Sequence, residues 1–359
     1  MRVFIFLFLI FTAVGCNSDV TQQLEPKGVA LGVMNEIVVI ADDEIWEGPV
    51  GDTFRYYFES SYPILPAPEP IFDLRHFTIQ ELEGQPLRKE LRTYAILANL
   101  SDEDSETSMM VKRDMGSERY NQALSSSEPG SSVGRDKWSR GQVLFYLFGN
   151  NNENLAASIG TNFGAIASRV HKHDEKQLRS SIYLDRINEG LSLQLQRDFG
   201  IKIDVPGEYR VAVEDPDNKT MWLRKDTDEA IINLVFQRLE YTNAGQFTKE
   251  NMIKLRNQFG STYVTSDVEG NVMVVNSEDL PVYEYARTVD GAYVKELRGT
   301  WEMTKDFAAG PFISYLINQE SSKSLLFVDA FVLAPGKDKR DVMMQLDYII
   351  RNAEFVTIQ

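Results

Sequence analysis

Residues 36–41 read Glu-Ile-Val-Val-Ile-Ala, a short apolar run rich in β-branched side chains that stops at Asp42-Asp43-Glu44. This composition and these flanks predict a buried strand. Residues 50–58 follow as a predicted helix, because Pro49 is favoured in a first helical turn, where its missing N–H leaves no hydrogen bond unmade. The folded part of the chain is therefore predicted to begin with a strand that is followed by a helix.

The same mixture recurs along the chain without strict alternation. Residues 154–170 carry apolar side chains at steps of three and four, which predicts an amphipathic helix. The second half is dominated by predicted antiparallel strands, such as the alternating residues 209–213. The predicted fold class is α+β, with antiparallel or mixed β-sheets packed against helices in two lobes. We place an N-terminal α+β lobe at residues 31–200 and a C-terminal α+β lobe at residues 201–359.

Residues 101–137 differ in composition from the rest of the N-terminal lobe. Four acids lie between residues 102 and 106, and a Ser/Gly/Pro-rich run covers residues 125–134. Such a segment buries too little apolar area to offset the entropy lost on ordering it. We predict a long Ser-rich surface excursion with one short helix near residues 118–124.

The first sixteen residues read M-R-V-F-I-F-L-F-L-I-F-T-A-V-G-C. Arg2 precedes an apolar stretch that is too short to span a bilayer, which takes about 20 residues, so residues 1–15 are a predicted signal peptide. Small residues lead into Cys16, the single cysteine of the chain, and this pattern resembles the lipobox of bacterial lipoproteins. The resemblance implies cleavage before Cys16, lipidation of its thiol with chains such as palmitate, and a polar tether over residues 16–30.

Composition narrows the classes of function. The chain has 359 residues, 43% of them hydrophobic and 25% charged, which is typical of a globular protein. Its formal net charge of −16 argues against nucleic acid as a partner, since nucleic acid binding needs a basic surface. With Cys16 assigned to lipid, we expect neither a disulfide nor thiol chemistry.

The sequence lacks the catalytic signatures S-x-x-K, H-E-x-x-H and G-x-G-x-x-G as well as a Walker loop. It contains only three histidines, and we expect His171 and His173 to lie on the surface. We therefore expect no metal and no cofactor, and whether the protein is an enzyme stays open, with a binding role favoured. The candidate carboxylates for acid–base chemistry are Asp42, Asp43, Asp52 and Asp306.

Residues 334–340 read Ala-Pro-Gly-Lys-Asp-Lys-Arg before a predicted last helix over residues 338–354, for which Asp338 is the expected N-cap. The cations Lys337, Lys339 and Arg340 crowd its first turn, where they oppose the helix dipole. Free N–H groups and three cations predict a seat for an anion such as a phosphate or a carboxylate. The alternative interpretation is a basic turn neutralised by neighbouring acids.

Several of these segments occur together in one known family. They are W-E-G-P-V-G-D at 46–52, L-P-A-P-E-P-I-F-D at 65–73, R-G-T-W-E at 298–302, G-P-F-I-S-Y at 310–315 and A-P-G-K-D-K-R at 334–340. With the signal and Cys16, they resemble a family of Bacteroidota lipoproteins defined only as a domain of unknown function. The resemblance implies location and lineage and assigns no chemistry.

We expect a protein of the cell envelope, anchored to the membrane by lipid, which binds a protein, peptide or glycan partner without catalysis. We favour the outer membrane over the inner one and leave the exposed face open. The alternative is a carboxylate-dependent hydrolase or transferase that acts on envelope material.

Overall fold

The computed structural model describes residues 27–289 and 291–356. The predicted signal peptide and Cys16 lie outside these residues. No helix in the described part of the chain is both long enough and apolar enough to cross a membrane.

A five-stranded sheet forms the centre of the N-terminal half, with the strand order β2-β1-β3-β5-β4. Its strands are β1 (Glu36–Ile40), β2 (Asp73–Phe77), β3 (Thr93–Asn99), β4 (Gly130–Arg135) and β5 (Val143–Gly149). The first four strands of this order pair in parallel, whereas β4 is antiparallel to β5. The central strands are buried on both faces, which explains why β1 is a continuous apolar run rather than an alternating one.

Helices cover both faces of this sheet. They are α1 (Asp43–Trp46), α2 (Pro49–Phe58), α3 (Ile79–Gly84), α4 (Glu106–Met115), α5 (Ser117–Leu124) and α6 (Asn152–Ile182). Helices α2 and α6 pack on the face that carries Ile37 and Val39. Helices α3, α4 and α5 pack on the opposite face, with Val38 and Ile40. The helices α2 and α6 were predicted from Pro49 and from the apolar spacing of residues 154–170.

Residues 101–137 are more ordered than the sequence predicted. The short helix near residues 118–124 is present as α5, but α4 precedes it and β4 follows it. Met110, Val111 and Tyr120 bury their side chains against the sheet, so a few apolar residues are enough to hold this segment in place. Ser105, Thr107 and Ser108 are buried with them, and the exposed acids at residues 102–104 conceal this pattern in the composition.

An eight-stranded antiparallel sheet forms the C-terminal half, ordered β10-β12-β13-β14-β9-β8-β7, with β11 paired to β12. Its strands are β7 (Arg210–Asp215), β8 (Thr220–Asp226), β9 (Ile231–Glu240), β10 (Met273–Asn276), β11 (Tyr283–Val289), β12 (Ala292–Met303), β13 (Ala309–Gln319) and β14 (Ser324–Leu333). Two short strands, β6 (Ile201–Lys202) and β15 (Glu354–Phe355), pair separately.

Helix α8 (Lys249–Tyr263) packs on one face of this sheet, and α7 (Glu189–Phe199) and α9 (Arg340–Arg351) pack on the other. Leu195 and Phe199 of α7 lie in the same core as the C-terminal strands. Leu178 and Ile182 of α6 lie in it as well, so this core extends across the predicted lobe boundary at residues 200–201. The α+β class with antiparallel and mixed sheets against helices is confirmed.

Candidate functional site

The four candidate carboxylates have separate local roles. Asp42 lies between β1 and α1 and accepts hydrogen bonds from Ser105 and Thr107, which lie at the start of α4. Asp52 pairs with Arg55 at 2.8 Å on the surface of α2. Asp43 is exposed, and Asp306 accepts a hydrogen bond from an asparagine amide in the C-terminal half. None of the four lines any of the clefts described below.

Within residues 27–289 and 291–356, no three His, Cys, Asp or Glu side chains lie close enough together to hold a metal ion. His171 and His173, expected on the surface, are both half-buried, and the Nε2 atom of each ring is buried without a hydrogen-bond partner among the described residues. Burial lowers the pKa of both imidazoles. His171 instead packs against Phe72, with ring centroids 5.1 Å apart.

The cations before α9 surround an anion that belongs to the protein itself. The Glu69 carboxylate accepts the backbone N–H of Lys339 at 2.9 Å and that of Arg340 at 2.7 Å. The predicted cap is therefore wrong: Asp338 is exposed, Lys339 occupies the N-cap position without a side-chain cap bond, and Glu69 supplies the acceptor. A carboxylate at this end of a helix is stabilised by the free N–H groups and the helix dipole.

The three cations are also engaged individually. Lys337 pairs with Glu229 at 2.9 Å, the Lys339 ammonium donates to a backbone carbonyl, and Arg340 pairs with Asp73 at 2.8 Å. The neighbouring cleft of about 590 Å³ has more acidic than basic side chains. An external anion at this position would have to displace Glu69.

The outer edge of β4 has backbone N–H and C=O groups that are available for hydrogen bonds. This strand is last in the N-terminal sheet and pairs only with β5 among the described strands. The Asp136 N–H donates to the Gln142 carbonyl at 3.2 Å, which sets the alternation of the ladder. Every second residue of an antiparallel edge strand turns its N–H and C=O away from the neighbour. The outward-facing residues are therefore Ser131, Val133 and Arg135.

The sequence of β4, Gly-Ser-Ser-Val-Gly-Arg, explains its shape. A Cβ atom at Gly130 would lie 2.0 Å from the Phe148 ring, and one at Gly134 would lie 3.1 Å from Tyr146. Glycine at these positions lets both aromatic rings extend from β5 over β4 toward the open edge. Burial and the nearby Asp114 carboxylate raise the pKa of the Tyr146 phenol, so it stays protonated and donates to Asp114 at 2.8 Å.

Clefts flank β4 on both faces. The cleft on the α4–α5 side has a volume of about 600 Å³ and is lined by Tyr146 and Phe148 together with Met115 and Ala123. On the α6 side, a cleft of about 130 Å³ lies beside Ser131 and Val133, and one of about 630 Å³ lies beside Arg135. A segment laid along β4 would thus find space for side chains above and below the sheet.

Two other edge strands, β7 and β2, carry features that oppose further pairing. Strand β7 has a register shift between Val211 and Val213, and β2 carries Asp73, Arg75 and His76. Bulges and charges are common means of blocking an exposed edge. Strand β4 has no bulge and no proline, and its single charge is at its last residue. The sequence did not predict β4 or its open edge, because glycine and serine give no alternating apolar pattern. Val133 is the one β-branched residue in this strand that favours a strand.

Comparison with known families divides the chain between residues 183 and 189. Residues 30–183 match the model of Domain of unknown function (DUF8532), and residues 189–352 match that of Domain of unknown function (DUF4837). Both families are domains of unknown function. The matches support the predicted resemblance to a family of this kind and fall on either side of the turn before α7. No curated protein matches the chain.

Solved structures resemble the chain only distantly. The Ran-binding protein Mog1p of Saccharomyces cerevisiae covers 44% of this chain and 90% of its own, with 11% identity and a TM-score of 0.29. LpqN of Mycobacterium tuberculosis, described as involved in cell envelope biogenesis, covers 44% and 83%, with 12% identity and a TM-score of 0.25. Human STARD10 covers 45% and 72%, with 9% identity and a TM-score of 0.23. Scores this low carry no argument about function.

Proposed function

We propose that the protein is a lipid-anchored cell-envelope module that binds a partner without catalysis, by adding an extended segment of the partner to the edge of β4. The observation that carries this proposal is the set of outward-facing backbone groups at Ser131, Val133 and Arg135, with clefts on both faces. In strand addition, main-chain hydrogen bonds provide affinity and alternate side chains provide specificity. Of the partners expected from the sequence, a protein or peptide fits this edge, whereas a glycan lacks the backbone to pair with it.

The anchor belongs to the same proposal. Acylation of Cys16 in a Bacteroidota lipoprotein would hold the domain at the membrane, most naturally the outer membrane. Each buried CH2 group of an acyl chain contributes about 0.8 kcal/mol, so several chains hold a protein permanently. Of the predicted tether over residues 16–30, the last residues are bound to the domain, since the Ala30 N–H donates to the Arg140 carbonyl and the Arg140 N–H to the Gly28 carbonyl, both at 2.8 Å. The part before residue 27 would then let the module reach a partner near that surface.

The anchor is tested by replacing the modified thiol. Cys16→Ser should abolish incorporation of labelled palmitate and move the protein from the membrane fraction to the soluble fraction. Tight membrane association of the serine variant would refute lipid anchoring and leave the edge-binding proposal standing.

The binding mode is tested with a labelled peptide of about eight residues that alternates valine and threonine, a sequence that favours an extended strand. Val133→Pro removes one outward N–H, and proline is tolerated on an edge strand where its N–H would face solvent. Val133→Thr is the matched control, because it keeps the N–H and the β-branched shape. We expect binding by the wild type and by Val133→Thr, and about tenfold weaker binding by Val133→Pro.

Ser131→Pro provides a second test at the next outward N–H and guards against a fold defect specific to residue 133. Circular dichroism should show that both proline variants keep the wild-type fold. Equal peptide affinity for the wild type and both folded proline variants would exclude strand addition at this edge.

A further inference from the structure

The two faces beside β4 differ in charge. On the α6 side, the cations Arg135, Arg169 and Lys172 line the cleft of about 630 Å³, where Asp136 is the one acid. On the α4–α5 side, the cleft is lined by the Tyr146 and Phe148 rings and by Met115, and its two charged residues, Asp114 and Arg119, have opposite sign. A segment that pairs with β4 would therefore have a cationic surface below it and an aromatic surface above it.

The cations on the α6 side have no partner in the described part of the chain. Arg135, Arg169 and Lys172 make no ion pair within 4.0 Å of any described carboxylate, in contrast to Arg340 or Arg298 elsewhere in the fold. The chain has 53 acidic and 37 basic residues, so acids that could neutralise these cations are plentiful. Three neighbouring cations left unpaired in such a protein mark a surface that is complementary to negative charge.

The charge difference between the two faces of β4 predicts a sequence pattern for the partner segment. Side chains of a strand point alternately to opposite faces of its sheet, and an added strand lies about 4.8 Å from its neighbour. Consecutive partner residues would therefore face the cations and the aromatic rings in turn. We propose that the partner segment alternates acidic and apolar residues, with the acids toward Arg135, Arg169 and Lys172. This inference rests on strand addition at β4.

A second copy of the chain fits this edge less well. Strand β4 of another copy reads Gly-Ser-Ser-Val-Gly-Arg, so it would offer no carboxylate to Arg135, Arg169 and Lys172. It would add a further cation to this edge instead of neutralising the three already there. The charge pattern thus favours an acidic segment of a different polypeptide.

The test compares three labelled peptides of about eight residues, in which valine alternates with glutamate, threonine or lysine. Anisotropy titrations are made at about 50 mM and about 500 mM salt, because screening shortens the Debye length severalfold over this range. We expect the Val-Glu peptide to bind about tenfold more tightly than the Val-Thr peptide at low salt, with the Val-Lys peptide weakest. The advantage of Val-Glu should shrink at high salt.

Charge reversal locates the effect. Arg169→Glu with Lys172→Glu should reverse the order of the Val-Glu and Val-Lys peptides. The control with the same change in net charge is Lys219→Glu with Lys254→Glu, in which both cations lie in the C-terminal half and make no described ion pair. This control should keep the wild-type order.

The outcomes separate the two proposals. If all three peptides bind with equal affinity and Val133→Pro weakens each of them, strand addition stands and the acidic–apolar pattern is wrong. If none of the peptides binds, both proposals fail. If light scattering shows that the wild-type protein is a dimer and this dimer does not bind the peptides, a second copy of the chain occupies the edge and the inference is overturned.

Discussion

The Glu69 carboxylate accepts the backbone N–H groups of Lys339 and Arg340, which joins the proline-rich segment before β2 to the first turn of α9. Glu69 is only 8% exposed, so this contact is shielded from water. Arg340 strengthens the junction by donating to the Pro70 carbonyl at 2.8 Å and pairing with Asp73. The two halves of the chain are thus held together by a helix cap that comes from the other half.

Glu69→Ala should lower the free energy of unfolding by about 1–3 kcal/mol, because two buried N–H groups would lose their acceptor and α9 would lose an anion at its N-terminus. Urea denaturation measures this change. Glu229→Ala is the control, since it removes an exposed partner of Lys337 and should change stability by no more than about 0.5 kcal/mol. Equal losses in the two variants would contradict the role assigned to Glu69.

A buried ion pair fixes α8 on the C-terminal sheet. Arg256 of α8 lies 3.1 Å from Asp329 of β14, and both side chains are almost fully buried. Arg256→Met should destabilise the protein by about 3–5 kcal/mol, because it leaves an uncompensated buried carboxylate. The double variant Arg256→Met with Asp329→Leu should be less destabilised than Arg256→Met alone. A double variant whose loss equals the sum of the two single losses would show that the pair is not coupled.

The buried ring of His171 predicts a pH dependence of stability. Burial lowers the pKa of His171 in the folded protein, so the unfolded chain binds a proton first as the pH falls below about 6.5. The free energy of unfolding should therefore decrease as the pH falls from about 6.5 to the lower pKa of the folded state. Above pH 6.5, His171 should contribute no pH dependence. His171→Phe keeps an aromatic ring against Phe72 and should reduce the change of the melting temperature with pH over this window. An unchanged slope, or an NMR titration of His171 near its ordinary pKa, would contradict the prediction.

Two glycines should respond oppositely to substitution. Gly130→Ala places a methyl group into the Phe148 ring and should destabilise the N-terminal half by about 1–3 kcal/mol. Gly164 lies inside α6 with open space at its Cβ position, so Gly164→Ala should stabilise by up to about 1 kcal/mol. Thermal unfolding of both variants tests the prediction. A stable Gly130→Ala protein would mean that Phe148 does not extend over β4.

Local patterns predicted the elements whose signals are contiguous. The apolar run at β1, Pro49 at the start of α2 and the spacing in α6 each depend on neighbouring residues, and each predicted element is present. The cap of α9 was mispredicted because Glu69 lies 270 residues from Lys339, whereas Asp338 is adjacent. His171 was misplaced for a related reason, since its burial depends on Phe72 from a distant segment.

Strand β4 could not be predicted, because its order comes from the Tyr146 and Phe148 rings and not from its own residues. Gly130, Ser132 and Gly134 contribute little apolar area, and a Ser/Gly-rich run is equally typical of a surface loop. The charge pattern beside the edge was also invisible, because Arg135 and Lys172 are brought together only when α6 packs beneath β4.

Amide hydrogen exchange along β4, read residue by residue by NMR, tests strand addition most directly. In the free protein, the Ser131, Val133 and Arg135 amides should exchange quickly, whereas the Ser132 and Gly134 amides, which face β5, should be protected. Addition of the Val-Glu peptide should slow exchange at Ser131, Val133 and Arg135 and leave Ser132 and Gly134 unchanged. Fast exchange at Ser131, Val133 and Arg135 in the presence of bound peptide would contradict the proposal that the partner pairs with this edge.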